Sequence, residues 1–341
     1  MPRSKKLFYI LILVIGILML VPSCGGQESG GSSAGTDSVS SESVRLDYRT
    51  AGGEEGAKLM LANKEYYDGF SQNDLDFRMQ KKGATMDEYQ AFAKKQVIDF
   101  TEKQQDIIHE HMEKIKDTIA ERGYKLPELE QIVFINTTMD EECDAMAYTH
   151  GTQIYIDGGA LEDLNKAGDE GVKKLDFIFA HELFHCITRC NPDFRSDMYK
   201  IIHFTTQEED FEIPKSVEEY FISNPDVERH NSYATFKIDG KPVKCFTAFV
   251  TTKHFEKKGD SFFDSATTAL VPINGEDKYY TPEDAENFDE VFGKNTDYVV
   301  DPEECMADNF GNLFAYGLDG PEGKGYLNPE IVEAVEDVLK R

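Results

Sequence analysis

Residues 177–187 read FIFAHELFHCI, and the rest of the chain is best understood outward from them. Apolar side chains fall on nearly every side of a 3.6-residue period, which describes a helix buried within a protein rather than one lying on its surface. Two histidines and a glutamate in such a helix call for a purpose, because polar groups buried without partners cost free energy. Side chains four residues apart share a helical face with Cβ atoms about 5 to 6 Å apart, so His181 and His185 can reach one metal ion. Glu182 flanks that face. This is HExxH spacing, in which two imidazoles hold Zn²⁺ and the glutamate accepts a proton from a zinc-bound water. Zinc lowers the pKa of that water to about 7 and polarises the carbonyl under attack, with the adjacent carboxylate as general base.

A hydrolytic zinc site needs a third protein ligand. The metzincin pattern requires glycine at position 188 and histidine at 191, whereas the chain has Thr188 and Asn191. The other pattern takes a glutamate from a later helix, followed four residues on by an aspartate. Residues 301–310, DPEECMADNF, supply both. Pro302 marks a helix start, Glu304 is the expected ligand, and Asp308 shares its face and is expected to brace His181. Glu303 lies about 100° around the helix and is the fallback ligand.

The flanking sequence predicts an α+β fold. Residues 131–136 (QIVFIN) and 153–157 (QIYID) are β-branched and aromatic runs with polar or glycine boundaries, hence strands. The HExxH helix should run over about 172–189. Asp239-Gly240 predicts a hairpin turn between strands at 234–238 and 243–246. Further forward, Thr85 and Glu88 make a capping box, and apolar residues at three- or four-residue steps predict one long helix to Gly123, with any break near Gln104. His109 and His111, two apart on that helix, are assigned to its solvated side. Residues 58–77 read as one or two helices with a turn near Gly69.

The 341 residues include 36 basic and 64 acidic side chains, a net charge of −28, which excludes a phosphate-backbone binder; no nucleic-acid partner is expected. Arg3, Lys5 and Lys6 precede an apolar run over 7–21 and then Val21-Pro22-Ser23-Cys24. That order is a secretory signal, too short to span a bilayer, ending like a bacterial lipobox with Cys24 as the acylated residue. Loss of residues 1–23 leaves 33 basic against 64 acidic residues, so acyl chains rather than charge must hold the protein to anionic membrane. The Gly- and Ser-rich stretch 24–53 reads as a flexible tether. Residues 54–125 read as a helical region and 126–341 as the catalytic domain, with an insert over about 190–300. The remaining cysteines, Cys143, Cys186, Cys190, Cys245 and Cys305, lack the clustering of a thiolate zinc site and read as small buried residues.

Over residues 131–310 the chain resembles gluzincin-type metallopeptidases, and more closely a group of bacterial secreted proteins and lipoproteins. The resemblance rests on FIFAHELFHCITRCNP, MYKIIHF, SNPD at 223–226 and PEECMADNF. It implies a zincin-like domain with thermolysin-like architecture, one zinc per chain and hydrolysis of a peptide or protein substrate in the cell envelope. It carries ligand roles to His181, His185 and Glu304, the base role to Glu182 and a supporting role to Asp308. One departure stands out: 119 positions separate His185 from Glu304, far more than in thermolysin-like enzymes. The oxyanion-stabilising donor is therefore left as a ranking, Tyr298 and Tyr199 first, then Tyr148, His150 and His203. A substrate strand is expected against the strand ending near Asp157. Two other functions fit the same residues: a lipid-anchored binding or scaffold protein with a non-catalytic site, and a zinc hydrolase of a non-peptide amide or ester.

Overall fold

The computed structural model describes residues 46–341, and their fold is α+β. The secretory segment and Cys24 lie outside the described residues. In chain order the elements begin with β1 (Tyr48–Thr50), α1 (Gly53–Ala62), α2 (Lys64–Asp68), α3 (Gln72–Met79), α4 (Met86–Ala93), β2 (Val97–Ile98) and α5 (Glu102–Arg122). There follow β3 (Ile132–Thr137), β4 (Ala147–His150), β5 (Gln153–Ile156), α6 (Gly158–Asn165), α7 (Asp169–Cys190) and α8 (Pro192–Ile201). The last third holds β6 (Thr205–Thr206), α9 (Lys215–Glu218), β7 (Ser232–Ile238), β8 (Lys241–Thr251), β9 (Ala266–Pro272), α10 (Phe288–Phe292), α11 (Pro302–Tyr316) and α12 (Pro329–Leu339). Among these helices none is long and apolar enough to cross a membrane.

Strand β3 is buried at every position because helices cover both faces of its sheet. Phe134 meets Phe179 of α7, with ring centroids 5.7 Å apart, and the next residue, Ile135, faces α1. At Gly56 of α1 an added Cβ would lie 2.8 Å from Ile135 Cγ2, so the helix packs this closely only without a side chain there. The sheet order is β1-β3-β5-β4, parallel until β4 turns back antiparallel, and β2 pairs with the far end of β3. A second, antiparallel sheet, β6-β7-β8-β9, occupies the insert. Asp239 and Gly240 close its β7–β8 hairpin with φ of 49° and 72°, the backbone of a two-residue primed turn.

Four expectations need correction. Residues 46–53 are not tether: Leu46 is buried and β1 pairs in register with β3. The front region is not purely helical, since β1 and β2 both join the β3 sheet. The predicted long helix is two, and the break comes at residues 94–101 rather than near Gln104. There Val97 and Ile98 find ladder partners in β3, and Thr101 caps the second helix through Gln104. His111 is buried, not solvated; it stacks on Phe179 and its Nδ1 lies 2.8 Å from Asp176. Helical periodicity cannot distinguish a solvent-facing histidine from one facing a neighbouring helix that carries an acid.

Helices α7 and α11 lie against one another, and this contact builds the site. Gly311 permits it: an added Cβ would lie 3.0 Å from the Phe177 carbonyl oxygen and as close to its ring. Phe184 of α7 and Phe310 of α11 pack beside it with centroids 5.4 Å apart. The start of α11 is fixed by the second sheet. Asp301 caps the Glu303 N–H at 2.9 Å and accepts the Thr247 hydroxyl of β8 at 2.7 Å. The insert thus aims the distant carboxylates at HExxH, which is why 119 positions of separation are compatible with one site.

Candidate metal centre

Along α7, His181, Glu182 and His185 are all buried. The two imidazoles sit edge to face with centroids 4.7 Å apart. Glu304, from the first turn of α11, reaches between them: its Oε2 is 3.2 Å from His181 Nε2 and 3.5 Å from His185 Nε2. Both His185 Nε2 and Glu304 Oε2 are buried and lack a hydrogen-bond partner. Orphaned buried polar atoms are costly, so two of them meeting at one point call for something to occupy it. A tetrahedral zinc with ligand bonds of about 2.0 to 2.1 Å has ligand-to-ligand edges of about 3.3 Å, which matches the two spacings. The residues fit a divalent cation.

The outward nitrogens of both rings are already braced. His181 Nδ1 lies 2.9 Å from Asp308 Oδ1, whose other oxygen accepts the Thr296 hydroxyl. His185 Nδ1 lies 2.9 Å from Glu303 Oε1, which also accepts the Thr188 hydroxyl at 2.6 Å. Tyr199 donates to Glu303 Oε2 at 2.5 Å. Carboxylates placed this way fix the ring tautomer and leave each Nε2 lone pair for a metal. Glu303, the fallback ligand, is turned to the far side of His185 and serves as its orienting group. The adjacent positions 303 and 304 thus address opposite nitrogens of the same imidazole.

The electrostatics describe a site short of positive charge. Burial disfavours the His181 imidazolium, yet Asp308 and Glu304 outweigh it and hold its pKa well above the ordinary value. Burial acts likewise on His185, while Asp226, Glu303 and Glu304 raise it to about 10. Burial also opposes ionisation of Glu304, but the two imidazoles pull its pKa well below the usual carboxylate range. Asp226 goes the other way, raised by burial and by the nearby Glu182 and Glu304 carboxylates. Protons here stand where a cation would sit, because metal-ligating histidines are neutral and metal binding releases protons.

Glu182 is held by edge strand β4, where the Thr149 hydroxyl donates to its Oε2 at 2.7 Å. Strand β5, expected to receive a substrate strand, lies between β3 and β4 and has no free edge; the edge strand next to Glu182 is β4. The oxyanion candidates also separate. Tyr298 is raised well above the ordinary tyrosine value by burial and then by Glu304 and Asp226, which puts its phenol beside the cluster. Tyr199 is committed to Glu303. Tyr148 donates to Glu141, and His150 packs among Tyr66, Tyr148 and Tyr155. His203 is exposed at the end of α8 with φ of 67°. Cys186, Cys245 and Cys305 are buried, Cys143 is partly buried and Cys190 exposed; none pairs with another.

Asp226 was not foreseen. Its carboxylate forms a second close group with Glu182 and His185, all ligand atoms within 4.8 Å of one another, as they are in the group of His181, His185 and Glu304. The SNPD stretch stood out in the sequence, but no spacing rule relates it to HExxH. Comparison with family models, with curated proteins and with solved structures finds no match to this chain.

Proposed function

We propose that the protein is a zinc metallopeptidase of gluzincin-like, zincin-type architecture, anchored through an acylated Cys24 to the outer side of a bacterial membrane. The observation that carries the reading is that Glu304 Oε2 stands at tetrahedral-edge spacings from both His181 Nε2 and His185 Nε2, two of these three being buried atoms without a hydrogen bond. Asp308 and Glu303 brace the two rings. Bound there, zinc supplies Lewis acidity and makes hydroxide available near neutral pH.

The other parts of the reaction fall to the chain. Glu182, beside the ligand face and steered by Thr149, takes the proton of the attacking water and passes it to the leaving amine. Tyr298, whose pKa is raised first by burial and then by Glu304 and Asp226, is assigned as the donor that stabilises negative charge developing on the substrate carbonyl oxygen. Edge strand β4 offers main-chain groups to an extended peptide, which favours peptides over small amides as substrates.

The test is metal analysis of the purified chain, followed by cleavage of a mixed peptide pool with and without a chelator. Wild type should bind one equivalent of zinc and cleave in a chelator-sensitive way. Glu182→Gln should keep the metal and lose cleavage, and His181→Ala should lose both. An undiminished rate in Glu182→Gln removes the base assignment, and no metal in the wild type removes the whole reading.

A further inference from the structure

The outward N–H groups of an edge strand recur every second residue, and on β4 they belong to Ala147 and Thr149, followed by Gly151 in the turn just past the strand. The last two, those nearest the turn, are covered. Thr149 N–H donates to Asp226 Oδ1 at 2.7 Å, and Gly151 N–H donates to Glu228 Oε1 at 2.8 Å. Two carboxylates two residues apart on one segment therefore cover two donors two residues apart, one on the strand and one in the turn that follows it. This is the ladder that an incoming peptide would use.

The same segment reaches the metal centre. Asp226 Oδ1 stands 3.9 Å from His185 Nε2, and Asn224 Nδ2 donates to Glu304 Oε1 at 2.5 Å. Arg189, at the end of α7, clamps the segment: its Nε pairs with Glu228 at 3.0 Å and its Nη2 donates to the Pro225 carbonyl at 3.2 Å. The leading end is pinned at Ser223, whose N–H donates to Asp74 at 2.8 Å and whose carbonyl accepts from Arg78 at 2.7 Å. Asp226 itself is only 7% exposed.

We propose that residues 223–228 form a built-in plug, with Asp226 as a fourth protein ligand that closes the metal site and Glu228 as the cap on the substrate edge. The proposal rests on the metal reading above and specifies how that site is regulated. Asp226 stands beside His185 and Glu182, the ligand and the base of the proposed reaction. Its 3.9 Å spacing to His185 Nε2 exceeds a tetrahedral edge by about 0.6 Å, and since it shares a close group with His185 and Glu182 but not with His181 and Glu304, its carboxylate must also swing toward those two to complete the site. For substrate to enter, the segment must lift, and the contacts that resist lifting are those of Arg189 and β4.

Cobalt(II) in place of zinc tests this without reference to turnover, because its visible absorption reports the ligand set. The full chain is loaded with one equivalent of cobalt and titrated with acetohydroxamate, which binds metals that have an open position. In wild type the spectrum should stay unchanged at concentrations that shift Asp226→Ala completely, and Asp226→Ala should bind cobalt at least about tenfold more weakly. Asp226→Asn, which keeps the size and the acceptor for Thr149 N–H, should take up acetohydroxamate in the same way and serves if the alanine variant does not fold. Equal acetohydroxamate uptake by wild type and variants, with cobalt bound in all of them, overturns the plug and leaves the metal centre standing. No cobalt bound by wild type instead overturns the metal reading beneath it.

Discussion

Glu303→Gln separates an orienting carboxylate from a ligating one. Glu303 is buried and accepts from His185 Nδ1 at 2.9 Å, from Thr188 at 2.6 Å and from Tyr199 at 2.5 Å. Glutamine keeps the shape. Its carbonyl oxygen continues to accept from His185 and Thr188, and its amide can donate to the Tyr199 oxygen, so the fold should lose little. What disappears is the negative charge that makes His185 a stronger ligand. Loss of such a partner weakens metal binding by about 10- to 100-fold, or about 1.4 to 2.7 kcal/mol. Alanine should behave differently, stranding three buried donors at about 1 to 3 kcal/mol each and destabilising the protein itself. Zinc affinity measured by chelator competition, alongside urea unfolding of the same samples, reads both effects. Unchanged zinc affinity in Glu303→Gln would refute the orienting role, and a loss as large as that of Glu304→Gln would make Glu303 the ligand after all.

Two further perturbations probe the frame around the site. Arg78 is buried among Asp74, Glu142, Tyr66 and the Ser223 carbonyl, so Arg78→Met leaves two buried carboxylates without their cation. Urea unfolding should show a loss of about 3 to 5 kcal/mol, and a loss below about 1 kcal/mol would contradict the network's importance. Burial, aided by Arg189 and Arg78, lowers the His150 pKa to about 3. A depressed histidine binds its proton in the unfolded chain first, so its contribution is intact above the unfolded value of about 6.5 and is lost as pH falls toward 3. His150→Gln should flatten the stability profile between those values, and a slope equal to that of wild type would count against a neutral His150.

The sequence by itself determined which side chains of each helix share a face at the centre. The four-residue spacing of His181 and His185 follows from helical pitch alone, and so does the shared face of Glu304 and Asp308, because each pair lies within one helix. The α+β class and the β7–β8 turn were legible for the same reason: alternation and a positive-φ dipeptide are local signals. Tertiary structure decided everything that depends on which helix or loop meets which. It turned Glu303 onto the far nitrogen of His185, buried His111 against Asp176, made β4 rather than β5 the edge strand and drew Asp226 to the cluster. It also split the long helix, because Val97 and Ile98 gain a strand partner that no periodicity within 85–123 could announce. Contacts across 40 to 120 positions leave no periodic trace in the residues that make them, since the chain between can take many lengths at little entropic cost.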